Sequence, residues 1–184
     1  MKRLLKILAR GVCIIFAFPF AVLAGFGRFQ GGFTLFAQLF ALGPGVIGDY
    51  LRTAYYSWTL RRCSLETRIA FGTFFVTREA TIEPLVVIGA YCVLGHVHIG
   101  RHTLMGSHVQ VLSGTRQHIR DRDGHLQNGT FSEVRIGPEC WIGSSAVIAA
   151  EVGAGATVGA GAVVLSPVAP GGAVGGNPAR PIST

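Results

Sequence analysis

An aliphatic residue returns at every sixth position through the second half of the chain: Ile136, Ile142 and Ile148, then, after one step of four, Val152, Val158 and Val164. Gly or Ala follows most of them, and a small residue stands four places on at Ala146, Ala156 and Ala162. A period of six suits neither an α-helix nor the two-residue alternation of an ordinary strand. It suits a coil of short sides, each turning one residue inward, in which only stacking buries the apolar side. An earlier run keeps the same rhythm at Ile82, Ile88 and Leu94 and, after a step of five, at Ile99, Met105 and Val111. Three sides close one triangular coil, so coils start at Ile82, Ile99, Ile136 and Val152, with Val76 opening a partial turn. The competing reading is an ordinary all-β domain whose 26 glycines serve turns. It does not explain why two separate runs share both the period and the small-residue offset.

These hexads, over roughly residues 70 to 182, resemble the left-handed parallel β-helix of the hexapeptide-repeat acyltransferases. The closing Gly-Gly-Asn-Pro-Ala-Arg-Pro-Ile resembles the tail of sugar O-acetyltransferases of that class. The resemblance implies an all-β left-handed parallel β-helix of about four to five coils. It also implies an enzyme that uses acetyl-CoA as co-substrate and works as a homotrimer with active sites between subunits.

The first residues carry a different signal. Hydrophobic residues make up 49% of the chain and charged ones only 14%, with the apolar excess lying early. Lys2, Arg3, Lys6 and Arg10 crowd the start, which suits attraction to anionic lipid. No basic stripe interleaves with aromatics, so nucleic acid is not an expected partner. The uncharged run 11–26 gives ~24 Å of helix against a ~30 Å hydrocarbon core, and Pro19 should break or kink it. A second apolar segment, 33–42, stops at Gly43-Pro44-Gly45. A cleaved signal peptide ending near Ala24 and a single membrane span both compete here. A re-entrant or interfacial hairpin that leaves the downstream domain on the cytoplasmic face of a bacterial inner membrane fits acyl-CoA chemistry best.

The chain divides into three regions: a membrane-associated helical hairpin (1–46), an amphipathic or capping helix with linker (47–69), and the β-helix (70–184). In the second, Asp49 near the start and Arg61-Arg62 near the end suit the helix dipole. Tyr50, Tyr55, Tyr56 and Trp58 suit headgroup depth, unless the helix simply caps the open end of the solenoid. The hairpin, the Gly-Pro-Gly break and the Tyr-rich helix resemble exopolysaccharide-cluster acetyltransferases, including the colanic-acid type. In the tail, Pro and Gly argue against another helix or central strand. Cys13, Cys63, Cys92 and Cys140 form no CxxC pair and read as small apolar core residues of a reducing compartment.

Moving an acetyl group from a thioester to a hydroxyl needs a base, an oxyanion donor and a groove for the pantetheine arm. Residues 113–133 interrupt the hexads with a polar loop turning at Asp121–Gly124, and long loops in regular repeats tend to be functional. His118 on that loop is the candidate base, because a neutral imidazole accepts protons near neutral pH. Counting without a gap from Ile99-Gly100 puts the histidine of galactoside and maltose acetyltransferases on Arg116, whereas Gln117-His118 resembles the exopolysaccharide subgroup. Asp121 or Glu139 would orient the ring, and His125 is the fallback base. His96, at the five-residue step, is the candidate acceptor contact; His102 and His108 read as solvated.

The resemblance carries cofactor contacts residue by residue. Trp141-Ile142-Gly143-Ser144 matches the segment whose backbone, at Ser144, faces the thioester carbonyl. Ala160 matches the position lying along pantetheine, and Arg180 one near the CoA phosphates, where a planar guanidinium suits. Leu165, Ser166 and Ser183 depart from the residues common at the corresponding positions, basic ones among them. The histidine spacing does not match the zinc pattern of the gamma-class carbonic anhydrases, so no metal is expected. The implied function is acetyl transfer from acetyl-CoA to a sugar hydroxyl in polysaccharide or glycolipid biosynthesis, with a lipid-linked or membrane-extruded saccharide as acceptor. An acyltransferase with a small soluble acceptor, such as an amino sugar or serine, and a non-enzymatic scaffold are the alternatives.

Overall fold

In the computed structural model, which describes residues 2–115 and 117–183 and the side chains from 6 onward, three helices cap one end of a parallel β-helix. Each coil has three short strands, and equivalent strands of successive coils pair in parallel to form three faces. The first face stacks Arg62–Cys63, Thr81–Ile82, Val97–Ile99 and Val134–Ile136, then continues as single bridges at Val152 and Val168. The second runs from Arg68–Ile69 through Val87–Ile88, Leu104–Met105, Trp141–Ile142 and Thr157–Val158 to Ala173–Gly175. The third runs from Phe74–Phe75 through Val93–Leu94, Gln110–Val111 and Val147–Ile148 to Val163–Val164.

The coils beginning at Ile82, Ile99, Ile136 and Val152 are therefore as the sequence predicts. Their number is six rather than four to five. A first coil begins at Arg62–Cys63 and a last at Val168, and the expected partial turn at Val76 is the close of the first. The tail also departs from expectation: Ala173–Gly175 is an internal strand of the second face, between Thr157–Val158 and an antiparallel strand at Arg180–Pro181. Gly171 and Gly172 only turn the chain into it, so the proline and glycine content there serves the corner.

Each face sends one residue per coil into the prism, giving a core of Ile69, Ile82, Ile88, Leu94, Ile99, Ile136, Ile142 and Ile148, all at most 1% exposed. The small positions between them are filled by Cys92, Cys140, Ala146, Ala156 and Ala162, all buried. In places Thr does the same work and donates its hydroxyl to the next coil: Thr73 Oγ1 to Gly89 O at 2.6 Å and Thr103 Oγ1 to Gly137 O at 2.8 Å. A buried hydroxyl so paired avoids the cost of an unmet polar group.

The cap comprises α1 (Lys2–Leu23), which continues through Pro19, a tight turn at Gly25–Gly27, α2 (Gln30–Ala41) and α3 (Gly45–Thr59). Helix α1 packs chiefly on α3 rather than on α2. Helix α3 closes the first coil. Tyr55 and Tyr56 are fully buried, not at a headgroup surface, with the Tyr56 ring 4.8 Å from that of Phe75 and Tyr55 Oη donating to Phe33 O at 3.0 Å. The capping role therefore explains these tyrosines. Along α1, Lys6–Leu23 is long and apolar enough to cross a membrane, and 17% of it is buried.

Candidate active site

The chain leaves the third coil after Val111 and returns at Val134. Between them, His118–Arg120 pairs antiparallel with Leu126–Asn128 as a protruding hairpin. The hairpin is tied at its tip: Asp121 Oδ1 accepts from the amides of Asp123 (3.0 Å) and His125 (2.9 Å), and Oδ2 from Gln127 Nε2 (2.8 Å). These bonds, that from His125 foremost, hold the Asp121 carboxyl below its ordinary range. Asp121 is thus spent on the turn. Glu139 pairs with His102 instead, its Oε1 lying 2.9 Å from Nδ1. Neither carboxylate reaches His118, so the sequence's two candidates for orienting that ring are both engaged elsewhere. Asp121, Asp123 and His125 lie close together at the tip, where their contacts serve the turn.

His118 is exposed at the base of the hairpin, its ring edge-on to Phe131 with centroids 6.4 Å apart. It lines a cavity of about 360 Å³ together with Gln117 and with Ala149 and Leu165 of the following coils. Arg116 lies outside the described residues. Across Gln117 lies a second cavity, about 480 Å³, lined by Thr77, Glu79, His96, Ser113 and Phe131. The buried Ser113 Oγ accepts from the His96 amide at 2.9 Å, and His96 Nε2 is 3.9 Å from Glu133 Oε1. The sequence singles out His96 but not Glu79, Glu133 or Phe131. Phe131 and Glu133 lie where the chain returns from the hairpin, but Glu79 belongs to the corner after the first coil, and the three come together only once the coils are stacked.

The remaining candidates share the edge between the second and third faces. There Tyr91, His108, Ser145 and Gly161 adopt φ of +56° to +61° and, for the glycine, +68°. Each donates its amide to the preceding coil: Tyr91 to Phe71 O, His108 to Ala90 O, Ser145 to Ser107 O and Gly161 to Ser144 O. The residues just before the last three, Ser107, Ser144 and Ala160, form a column whose amides have no hydrogen-bond partner among the described residues. The edge between the first and second faces is poorer in such donors. Its Arg101 amide donates to Glu83 Oε2 at 2.9 Å, and Pro138 has no N–H.

Gly143 sits one step before Ser144, and a Cβ there would run into the Ala160 amide nitrogen. Trp141 projects from the second face beside Leu104 and Thr157, 62% exposed. Arg180 pairs opposite Gly175 at the end of the same edge. Trp141, Gly143, Ser144, Ala160 and Arg180 are thus gathered along one edge, while His118 and His96 stand at the edge between the third and first faces. One chain holds the imidazoles and the amide column apart.

Short six-residue sides, stacked in parallel and interrupted once by a hairpin, make a parallel β-helix. Residues 133–166 match the family model described as the hexapeptide repeat of succinyl-transferase. Among curated proteins no sequence matches the chain. Among solved structures, the hexapeptide-repeat containing acetyltransferase VCA0836 from Vibrio cholerae is similar over 84% of this chain and 89% of its own, at 19% identity and a TM-score of 0.64. A variant of AntD, an N-acyltransferase from Bacillus cereus in complex with dTDP-4-amino-4,6-dideoxyglucose and coenzyme A, is similar over 64% of this chain and 69% of its own, at 18% identity and a TM-score of 0.51. AntD with dTDP and 3-hydroxybutyryl-CoA has 20% identity and a TM-score of 0.50 over the same shares. At these identities the likeness establishes the fold.

Proposed function

We propose that this protein transfers an acetyl group from acetyl-CoA to the hydroxyl of a saccharide. The observation that carries this reading is the column of amides at Ser107, Ser144 and Ala160, unpartnered among the described residues and donors suited to a pantetheine arm and a thioester oxygen. Trp141 would flank the thioester, Gly143 would allow it close, and Arg180 would meet the phosphates of CoA. The structures of AntD with coenzyme A and with an acyl-CoA support the same co-substrate.

In the reaction, His118 takes the proton of the acceptor hydroxyl, and the oxygen attacks the thioester carbonyl directly. The Ser144 amide stabilises the tetrahedral oxyanion. The intermediate expels the CoA thiolate, which recovers the proton from the imidazolium. The acceptor would lie in the cavity with His96, within reach of the hairpin base. Because the imidazoles and the amides lie on different edges of one chain, the reading includes a homotrimer in which one subunit's hairpin faces its neighbour's amide column.

The exposed apolar side chains of α1 and α2, among them Val12, Ile15, Leu23, Leu35 and Leu39, support a lipid-linked acceptor and a place on the cytoplasmic face of a bacterial inner membrane. Mass spectrometry of lipid-linked glycans and polysaccharide from cells with and without the protein tests the whole reading. Unchanged acetylation would overturn it.

A second acceptor class is favoured by one observation. Glu79 lines the His96 cavity and Glu133 lies beside His96, a setting that suits an ammonium group. An amino sugar acylated on nitrogen gives an amide that survives hydroxylamine, whereas an O-acetyl ester does not. Product treatment with hydroxylamine separates the two.

A further inference from the structure

Outside the candidate site, the cap and the first coil enclose a cavity of about 350 Å³ lined by Lys6 and Arg10 of α1, Asp49 and Tyr50 of α3, and Glu66 and Arg68 of the first coil. Its charge is set by what Asp49 does. One carboxylate oxygen accepts from the buried Arg52 Nη2 at 2.6 Å and the other from Arg68 Nε at 2.9 Å, so its charge is consumed. Arg68 remains 65% exposed on its outer side. Arg10 stands 5.2 Å over the Tyr50 ring, which orients its guanidinium without neutralising it. Among the described residues, neither Lys6 nor Arg10 has a carboxylate partner. Three cations, Lys6, Arg10 and Arg68, therefore line the cavity against two carboxylates, Asp49 and Glu66, and the first of these is already paired by the buried Arg52 as well.

The rim is of opposite character. Val46 is among the lining residues, and Ile7 and Ile47, next in sequence to the lining Lys6 and Val46, are, like Val46, large exposed apolar residues. Cations set beside an apolar ledge match an amphiphile: the cavity takes the anionic end and the ledge faces the acyl chains. A donor set of a lysine and two arginines suits a phosphate, which guanidinium groups engage with paired N–H donors. We propose that this cavity seats the phosphate of an anionic lipid headgroup, fixing which side of the cap faces the bilayer. The proposal rests on the membrane-surface part of the functional reading and adds a specific site to it.

The test uses the full chain and vesicles of phosphatidylcholine alone or with phosphatidylglycerol, read by flotation. The wild type should bind the phosphatidylglycerol vesicles more tightly. Arg10→Gln together with Lys6→Gln should weaken that binding on the order of fivefold per cation removed, and leave binding to phosphatidylcholine unchanged. Arg28→Gln removes one charge elsewhere in the cap and should weaken binding less than Arg10→Gln alone. Equal losses for Arg10→Gln and Arg28→Gln, or equal wild-type binding to both vesicles, would overturn the site while leaving membrane association in place. Binding to neither vesicle would overturn the membrane reading as well. Calorimetry with inorganic phosphate at constant ionic strength separates a soluble ligand. Millimolar phosphate binding that disappears in the double variant, without any preference for phosphatidylglycerol, would assign the cavity to free phosphate and overturn the lipid.

Discussion

Arg52 of α3 donates its Nε to the carbonyl of Ile69 at 2.8 Å, and so ties the helical cap to the first coil. Its other nitrogens reach the carbonyls of Phe40, Ala41 and Gly43, where α2 ends, and the carboxylate of Asp49. The residue is fully buried. Burial pushes the guanidinium pKa down, and the Asp49 partnership acts against that shift.

Arg52→Met should therefore destabilise the protein by roughly 3–5 kcal/mol, because it leaves one Asp49 oxygen and several helix-end carbonyls unpaired together, with only Arg68 still on the carboxylate. Arg52→Lys should recover little of this, since an ammonium cannot reproduce the planar set of contacts. Chemical denaturation followed by circular dichroism measures both.

His118→Ala should lower acetyl transfer by a hundredfold or more, the usual contribution of a general base. Acetyl-CoA affinity, measured by calorimetry, should be nearly unchanged, because the ring acts on the acceptor hydroxyl and not on the coenzyme. His96→Ala should instead raise KM for the acceptor.

Glycines along the amide edge should divide sharply. A methyl at Gly143 meets the backbone of Ala160, whereas at Gly159 the nearest atom is Val174 O at 3.4 Å. Gly143→Ala should cost about 1–3 kcal/mol and weaken acetyl-CoA binding, while Gly159→Ala should be tolerated. Thermal melts and calorimetry on the pair decide this.

Glu83 offers a pH test. Its carboxylate lies 2.9 Å from His98 Nε2 and accepts from the Arg101 amide, and these contacts, the His98 bond first, hold its pKa below the ordinary value. A lowered folded-state pKa gives stability that is complete above the unfolded value and fades as pH falls through the folded one. Glu83→Gln should thus cost about 1 kcal/mol at neutral pH, with the difference from wild type shrinking below about pH 4. Urea titrations at several pH values read it directly.

How much of the molecule is legible in its residues depends on how local the cause is. The six-residue period places the coils at Ile82, Ile99, Ile136 and Val152, because each inward residue recurs at a fixed chain distance. The first coil escapes because Thr67 and Thr73 fill positions where Ala or Cys stands later, and Phe75 replaces an aliphatic residue. Threonine there becomes intelligible only when the carbonyl it meets, Glu83 O or Gly89 O, comes from the next coil. Tyr55 and Tyr56 look like interfacial aromatics, yet they fill the space between α2, α3 and Phe75. The candidate base stands out as a break in the repeat, and the small residues of the amide edge as parts of it. Their separation onto two edges, and the carboxylates around His96, depend on stacking that no linear pattern records.

The strand Val134–Ile136 pairs with Val97–Ile99, residue for residue, after the whole excursion through the hairpin. The detour therefore imposes no offset on the later coils. A hairpin of another length or sequence could be grafted at this junction without shifting the pairing of any later coil, so the appendage and the solenoid wall are free to vary independently.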